Sequence, residues 1–416
     1  MLHSGEARRT NTTRTCRVTM FVTLAVIGLT LVASASAHAQ TYRVLHNFTG
    51  GTDGANPEAG LAIDAAGNLY GTTSAGGAGF GTAFKLTRSH SNFLFNPLYT
   101  FQGSDENDGA SPAAVTIGPN GSLYGPTMGG GNPQCSFGCG TVFNLQPPPR
   151  ACTSALCPWT ETVLYRFAGG MDGSSPGLGG VIFDHAGSLY GTTSAGGANN
   201  AGVIYELVAS TGWMRTLLYT FTGGTDGGSS FGGLVFDNAG RLYGTTAFGG
   251  AVGCGEVFQL TGSTLKVIYS FQCGDDGENP IGGVIIDSAG NLYGTTSSGG
   301  TGGGGTAFQL TPSGSNWTFS LIYSFSGAEG PHNNLIRDTA GNLYGTAFGG
   351  AFDAGLVFKL APSGSGWAFT DLYDFTGGTD GSDPLCAMAI DSSGNLYGTT
   401  FFGGSADQGV VFEITP

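Results

Sequence analysis

The chain has 416 residues, of which 77 are glycine, 40% are hydrophobic and only 10% are charged, and its formal net charge is −14. The glycines follow no Gly-X-Y period, which excludes collagen, and the apolar and aromatic content excludes a disordered linker. The acidic balance disfavours nucleic acid and anionic membranes as partners.

The first 39 residues are typical of a cleaved secretory signal. Four arginines precede an apolar run at 20–33, and small residues ending in Ala37-His38-Ala39 follow it. An uncleaved membrane anchor is the alternative, but the apolar run is short for a span. Cleavage after Ala39 would leave ten basic and 27 acidic side chains, a formal charge of −17. We therefore expect an exported protein, periplasmic or extracellular, with no membrane span after cleavage.

A Leu-Tyr-Gly motif recurs through the rest of the chain at intervals of 50 to 66 residues. Its tyrosines are Tyr70, Tyr124, Tyr190, Tyr243, Tyr293, Tyr344 and Tyr397. A period near 50 residues that is built from short strands is the signature of propeller blades. The seven motifs therefore predict seven blades.

The third repeat shows four strand-like segments, at 180–183, 188–193, 202–207 and 217–221. Asp184 and Gly187 bound the first turn, and alternating aromatic and β-branched residues favour strands over helices. Four antiparallel strands joined by short turns make one blade. The glycine after each motif tyrosine is unusual inside a strand, and we expect a neighbouring blade to approach closely there.

The two ends of the repeat array complement each other. The last repeat has strands near 385–390, 395–400 and 409–415 but no fourth strand, while residues 42–48 resemble the fourth strand at 163–167. We therefore predict an all-β, single seven-bladed β-propeller over 40–416, with the N-terminal strand completing the last blade and closing the ring. Blade 2 departs through Pro126, which replaces the usual threonine, and a long Cys- and Pro-containing loop at about 132–158.

The repeated GNLYGTT…GG…G.VF.L pattern, followed by LY.F.GG.DG…P, resembles the Gloeobacter/Verrucomicrobia-type tandem repeat. It is similar to the choice-of-anchor tandem repeat group of bacterial exported proteins. The resemblance implies a propeller-like array in a bacterial envelope or secreted protein and no established reaction. Members often carry a C-terminal anchoring segment, whereas this sequence ends within its last repeat.

Cysteines outside the signal segment suggest disulfides in an oxidising compartment. Cys254 precedes the third strand of blade 4 and Cys273 follows its fourth, so we predict that the two are bonded. Two further pairs, Cys135 with Cys139 and Cys152 with Cys157, lie towards the two ends of the 132–158 segment. They favour two disulfides, with a four-thiolate zinc site as the alternative. Cys386 is expected to be a buried free thiol.

An acidic residue followed by glycine begins every blade, and these residues are the main ligand-binding candidates. They are Asp53, Asp108, Asp172, Asp226, Asp276, Glu329 and Asp380. The architectural interpretation is that each acid caps a turn and glycine supplies positive φ. The functional interpretation is a ring that binds calcium, which oxygen-only ligands would suit, or a polar ligand such as a glycan. No cofactor is predicted.

Catalysis has little support, because HExxH and Walker motifs are absent from the sequence. Blade 6 begins with the unrepeated segment 330–337, which adds His332 and Arg337 to the ligand candidates. We predict an exported, monomeric and non-enzymatic module that binds a polysaccharide or an envelope protein. The alternative is a carbohydrate-active hydrolase or lyase with carboxylates at the channel mouth.

Overall fold

Short strands separated by glycine-rich turns pair into seven small antiparallel sheets, one for each sequence repeat. The computed structural model describes residues 40–103, 108–148, 159–327, 330–364 and 366–415. The predicted signal segment lies outside the described residues. The predicted all-β, seven-bladed β-propeller is confirmed.

The first three blades contain fourteen strands. Blade 1 contains β2 (Ala62–Ile63), β3 (Leu69–Thr73), β4 (Thr82–Ser89) and β5 (Asn92–Thr100). Blade 2 contains β6 (Gly109–Pro112), β7 (Thr116–Ile117), β8 (Leu123–Gly130), β9 (Thr141–Gln146) and β10 (Thr160–Arg166). Blade 3 contains β11 (Ser174–Pro176), β12 (Ile182–Phe183), β13 (Leu189–Ala195), β14 (Val203–Val208) and β15 (Met214–Thr220). Short 3₁₀ turns lie at Pro119–Gly121, Gly170–Asp172 and Ala209–Thr211.

Blades 4 to 7 have four strands each. Blade 4 contains β16 (Val235–Phe236), β17 (Leu242–Thr246), β18 (Glu256–Thr261) and β19 (Thr264–Ser270). Blade 5 contains β20 (Ile285–Ile286), β21 (Leu292–Thr296), β22 (Gly303–Ser313) and β23 (Asn316–Ser326). Blade 6 contains β24 (Ile336–Arg337), β25 (Leu343–Ala347), β26 (Leu356–Ser363) and β27 (Gly366–Asp374). Blade 7 contains β28 (Ala389–Ile390), β29 (Leu396–Thr400), β30 (Val410–Thr415) and β1 (Thr41–Asn47).

The outermost strand of blade 7 comes from the beginning of the described chain. β1 pairs antiparallel with β30, from Thr41 opposite Thr415 to Asn47 opposite Val410. Its register shifts between Val44 and His46, and β10 shows the same irregularity against β9. β1 therefore has the geometry of a fourth strand.

The hydrophobic core is divided into clusters that lie between adjacent sheets. Between blades 4 and 5, Tyr243 and Phe271 pack with Leu292 and Phe308, all nearly or fully buried. The cluster that contains Phe48, Phe84 and Tyr397 joins blade 7 to blade 1 in the same way. Each sheet is therefore buried on both faces by its neighbours, which accounts for apolar side chains on both faces of the strands.

Two residues of the repeated motif connect elements through hydrogen bonds. In blade 1 the Tyr70 hydroxyl donates to Asp64 in the first turn, at 3.1 Å. The Thr72 hydroxyl donates to the backbone carbonyl of Ala113 in blade 2, at 3.0 Å. Equivalent bonds between blades start from Thr192, Thr245, Thr295, Thr346 and Thr399. Blade 2 has Pro126 at this position, so its side chain cannot donate this bond.

The glycine after the motif tyrosine is required by packing inside its own blade. A Cβ on Gly71 would lie 2.6 Å from the Phe84 ring and 2.7 Å from Leu61. Phe84 belongs to β4 and Leu61 directly precedes β2, so both contacts come from blade 1. The expectation that a neighbouring blade fills this space is wrong.

Blade 2 does not contain one continuous loop over 132–158. Strand β9 (Thr141–Gln146) lies inside that range, because Val142, Phe143 and Leu145 are buried and pair with β8. The range therefore comprises two connections separated by a strand. Residues 149–158, with Cys152 and Cys157, lie outside the described residues. Within the described part of the chain, no helix is both long and apolar enough to cross a membrane.

Candidate functional site

The propeller presents two different faces. The loop face carries the connections between blades and the loops between second and third strands, and backbone bridges such as Ala55 with Ala75 and Gly228 with Phe248 join them. The turn face carries the turns between first and second strands and between third and fourth strands. The two loop types therefore share one face, where the sequence placed the acidic residues.

Each described acid of the predicted ring is bonded to the fourth strand that precedes it in the chain. Asp226 accepts hydrogen bonds from the Tyr219 hydroxyl and the Thr222 amide, both at 2.9 Å. Tyrosine hydroxyls bond Asp108, Asp172, Asp276 and Asp380 in the same way, and His46 contacts Asp53. Glu329 lies outside the described residues. These bonds fasten each connecting loop to a fourth strand, so the repetition of the acid has an architectural cause, and its ligand role stays a prediction.

The electrostatics of Asp380 fit this structural role. Burial alone would raise the pKa of its carboxyl, but the hydrogen bonds from Thr376 and Tyr373 outweigh burial and lower it. The carboxylate is therefore held ionised by its own loop and strand.

Two disulfides are present among the described cysteines. Cys254 bonds Cys273 across the open end of the β18–β19 hairpin, as predicted, and Cys135 bonds Cys139. The second bond is incompatible with a four-thiolate zinc site. Cys386 is a buried free thiol, and its Sγ accepts a hydrogen bond from the Thr399 amide at 2.9 Å.

The central channel contains the unrepeated residues of blade 6. A cavity of about 60 Å³ lies on the axis, and its polar side chains are those of Glu58, His332, Asn333 and Asn334. Every one of these residues precedes an inner strand, which places the cavity towards the loop face. The volume holds a few water molecules and is far below that of a site enclosing a small organic ligand.

The channel groups differ in how well they are satisfied. The Asn334 side-chain oxygen accepts the Gly283 amide at 2.5 Å, which ties blade 6 to blade 5. The Asn333 side-chain nitrogen is buried and has no hydrogen-bond partner, and burial raises the pKa of Glu58. The channel therefore holds an unused donor and a carboxyl that is costly to ionise.

Arg337, the other blade 6 candidate, does not join this cluster. It ends the inner strand β24, and its guanidinium lies 6.0 Å from the ring centroid of Tyr293 in blade 5. His332 instead stacks edge-on against Phe348 at 4.7 Å. The structure thus brings His332 to the channel mouth and places Arg337 outside the cavity lining.

Exposed phenylalanines on the loop face were not predicted. Phe248 and Phe402 occupy equivalent places before a Gly-Gly pair, and 52% and 42% of their surfaces are exposed. Phe348, which contacts His332, has the same place in blade 6. Phe80 and Phe352 are exposed elsewhere in the same loops. The signal in the sequence is Ala-Phe-Gly-Gly or Phe-Phe-Gly-Gly, where blades 1, 3 and 5 have only Ser and Ala before the glycines.

Solved structures of low sequence identity share this fold. A polysaccharide lyase, an ulvan lyase, has 11% identity and a TM-score of 0.54, covering 89% of this chain and 94% of that chain. A xyloglucanase from Xanthomonas campestris has 14% identity and a TM-score of 0.54, covering 87% of this chain and 52% of that chain. Comparison with curated proteins gives no match.

The repeat family is identified by the sequence itself. The sequence matches the family described as "Gloeobacter/Verrucomicrobia repeat" over residues 30–176, 156–346 and 281–416, so the matches run through every blade. Their extent agrees with the seven sheets and with the recurring tyrosine–aspartate and threonine–carbonyl bonds. The choice-of-anchor designation stays a prediction. The chain belongs to the Gloeobacter/Verrucomicrobia repeat family.

Proposed function

We propose that this protein is an exported, non-enzymatic module that binds polysaccharide on its loop face, around the mouth of the central channel. The observation that carries the proposal is the placement of Phe248, Phe348 and Phe402 at equivalent positions on the loop face, with Phe348 against His332 at the polar channel mouth. Residues that recur in every blade have architectural partners, whereas a phenylalanine stands at this position in blades 4, 6 and 7 but not in blades 1, 3 and 5. Two disulfides among the described cysteines support export.

The chemistry of the loop face suits a saccharide. Exposed aromatic rings offer flat apolar surfaces to the C–H faces of sugars, while the neighbouring hydroxyl and amide groups can bond sugar hydroxyls. His332, Asn333 and Glu58 add donors and an acceptor at the mouth. The cavity is too small to enclose a sugar ring, so the polysaccharide would lie across the mouth of the channel.

The experiment is a glycan array with the mature chain, followed by affinity measurement on each retained glycan. We expect Phe248→Ser with Phe402→Ser to weaken binding at least tenfold with an unchanged melting temperature, because blade 5 has serine at the equivalent position, Ser298. Leu94→Ser is the control, since Leu94 is 63% exposed but lies in the fourth strand of blade 1. Equal binding by the double variant would contradict the proposal.

A carbohydrate-active enzyme is the second candidate, and Glu58 beside His332 in the channel favours it. Among the described lining residues Glu58 is the single carboxylate, whereas most glycosidases need a pair. Elimination from a uronic acid would need a base, for which His332 is the candidate. Product release from a retained glycan that is abolished by His332→Gln or Glu58→Gln would establish the enzyme and reject the non-enzymatic module.

A further inference from the structure

A groove between blades 4 and 5 opens on the turn face, opposite the site proposed above. Its volume is about 810 Å³, within the usual range for sites that hold small ligands. One wall is the first turn of blade 4, which begins at Asp237. The other wall is the hairpin end of blade 5, near Ser315 and Trp317. We refer to it as the blade 4–5 groove.

Two cations in this groove depart from the repeat. Arg241 stands where the other blades have asparagine or serine, namely Asn68, Ser122, Ser188, Asn291, Asn342 and Asn395. Lys266 in β19 pairs with Gln259 in β18. At the equivalent register most other fourth strands have an uncharged polar residue, namely Asn96, Thr162, Thr216, Ser320 or Thr370. The exception is Arg43 in β1. A chain with ten basic residues after the signal segment thus places two of them in one groove.

Both cations are positioned and still have unused donors. The Arg241 Nε donates to Asp237 at 2.6 Å, and the Lys266 Nζ donates to the Ser315 carbonyl at 2.6 Å. Both side chains are exposed. Because a guanidinium carries five N–H donors and an ammonium three, most of these donors stay available to a ligand.

The two acids of the groove, Asp237 and Asp287, are already engaged by hydrogen bonds from their own turns. Asp237 accepts from the Ala239 and Arg241 amides and the Tyr243 hydroxyl, and its side chain is only 9% exposed. Asp287 accepts the equivalent bonds of its own turn. The carboxylates are therefore satisfied by backbone and tyrosine groups, so the groove presents more free donors than free acceptors.

Trp317 supplies the apolar part of the groove. Its ring packs edge-on against Tyr243 with 5.8 Å between centroids, which holds it in place beside the two cations. An indole next to charged donors matches a sugar ring that carries an anionic group. We propose that the blade 4–5 groove binds a saccharide unit that bears a carboxylate or a sulfate ester.

The test is titration of the mature chain with an oligogalacturonate, a sulfated oligosaccharide and a neutral cello-oligosaccharide. We expect the acidic ligands to bind and the neutral one to bind at least tenfold more weakly. Arg241→Asn with Lys266→Thr should weaken acidic-ligand binding at least tenfold. Both substitutions restore residues found at these positions in other blades, so the melting temperature should stay unchanged.

The charge-matched control is Lys85→Gln with Lys359→Gln, which removes two cations from third strands of other blades and installs the residue of Gln259 and Gln309. This control should bind like the wild type. Equal affinity for neutral and acidic ligands, or an unaffected Arg241→Asn/Lys266→Thr variant, would overturn the proposal. Free sulfate or phosphate binding as tightly as the sugars would also overturn it, because the indole would then contribute nothing.

This site is independent of the loop-face proposal. Phe248→Ser with Phe402→Ser should leave acidic-ligand binding in the groove unchanged, since those residues lie on the other face. Loss of groove binding in that variant would place the ligand on the loop face and reject the groove as its site.

Discussion

The hydroxyl of Tyr219 lies 2.9 Å from the carboxylate of Asp226, and it joins the fourth strand of blade 3 to the loop that leads into blade 4. Burial first, and then the bond and the negative charge of Asp226, raise the pKa of Tyr219 to about 12. The tyrosine therefore remains a donor throughout the physiological range. The same pair in other blades makes it the main fastening of the connecting loops.

Asp226→Ala should destabilise the fold by about 1–3 kcal/mol, because it leaves the Tyr219 hydroxyl and the Thr222 amide without their acceptor. Urea unfolding of the variant measures this loss. Asp275→Ala is the control, since Asp275 is exposed beside Asp276 and should change stability by less than about 0.5 kcal/mol. Equal stability of the two variants would remove the structural role and revive the acid ring as a binding site.

Gly244→Ala should cost about 1–3 kcal/mol, because a Cβ there would lie 2.6 Å from the Phe258 ring and 2.9 Å from Leu234. Gly366→Ala provides the comparison, since nothing lies within 4 Å of its added Cβ and its φ is not positive. The free energy of unfolding, measured side by side, should fall only in the first variant. A comparable change in both would mean that the motif glycine is not fixed by packing.

Stability should fall as pH rises from about 4.5 to about 7, because burial, with the nearby charge of Asp226, raises the pKa of Glu256 to about 7. The unfolded chain ionises near 4.5 while the folded chain keeps the proton, so the stabilisation is complete below 4.5 and lost above 7. The loss is about 1–3 kcal/mol. One carboxylate oxygen of Glu256 has no hydrogen-bond partner, which fits a costly ionisation.

Glu256→Thr and Glu256→Gln should both reduce this pH dependence, while Glu161, whose pKa burial also raises to about 7, keeps its own share. Threonine is the natural residue at the equivalent positions Thr82, Thr141 and Thr306. Melting temperatures of each variant and of the wild type at about pH 4.5 and pH 8 give the comparison. If the difference in melting temperature between the wild type and each variant is the same at both pH values, the assignment to Glu256 is refuted.

Loss of the Cys254–Cys273 disulfide should lower stability by about 2–4 kcal/mol, because the bond closes a segment with a sequence separation of 19 residues. Cys254→Ser with Cys273→Ser tests this in thermal melts. Reductant should lower the melting temperature of the wild type more than that of the variant. Identical responses to reductant would show that this bond does not carry the stabilisation.

The sequence predicted the blades well because strand alternation and turn chemistry are local. The expected third strand at 202–207 and the observed Val203–Val208 differ by one residue at each end. The inner strand is shorter than predicted, since of residues 180–183 in blade 3 only Ile182 and Phe183 pair with β13. A Cβ on Gly179 would lie 1.9 Å from the Gly233 amide nitrogen, so the preceding residues pack against the next blade rather than extend the ladder.

The candidate site was less predictable because it depends on contacts between repeats. His332 and Arg337 are five residues apart, and an extended chain of that length spans about 16 Å. The two residues therefore lie apart, one at the channel mouth and the other at the far end of the inner strand. The tyrosine seven residues before Asp226 was a usable signal for the acid's role. The exposure of Phe248 had no such signal in the sequence, because hydrophobicity alone predicts that a phenylalanine is buried.

The pairing of Thr41 with Thr415 has a consequence for synthesis. A ribosome must deliver residues 41–415 before β1 finds its neighbour, whereas blades 1 to 6 can each pair from consecutive residues. Contacts of such long sequence separation form slowly. Until β30 is available β1 stays unpaired, so the growing chain is open to association with other chains throughout the synthesis of all seven repeats.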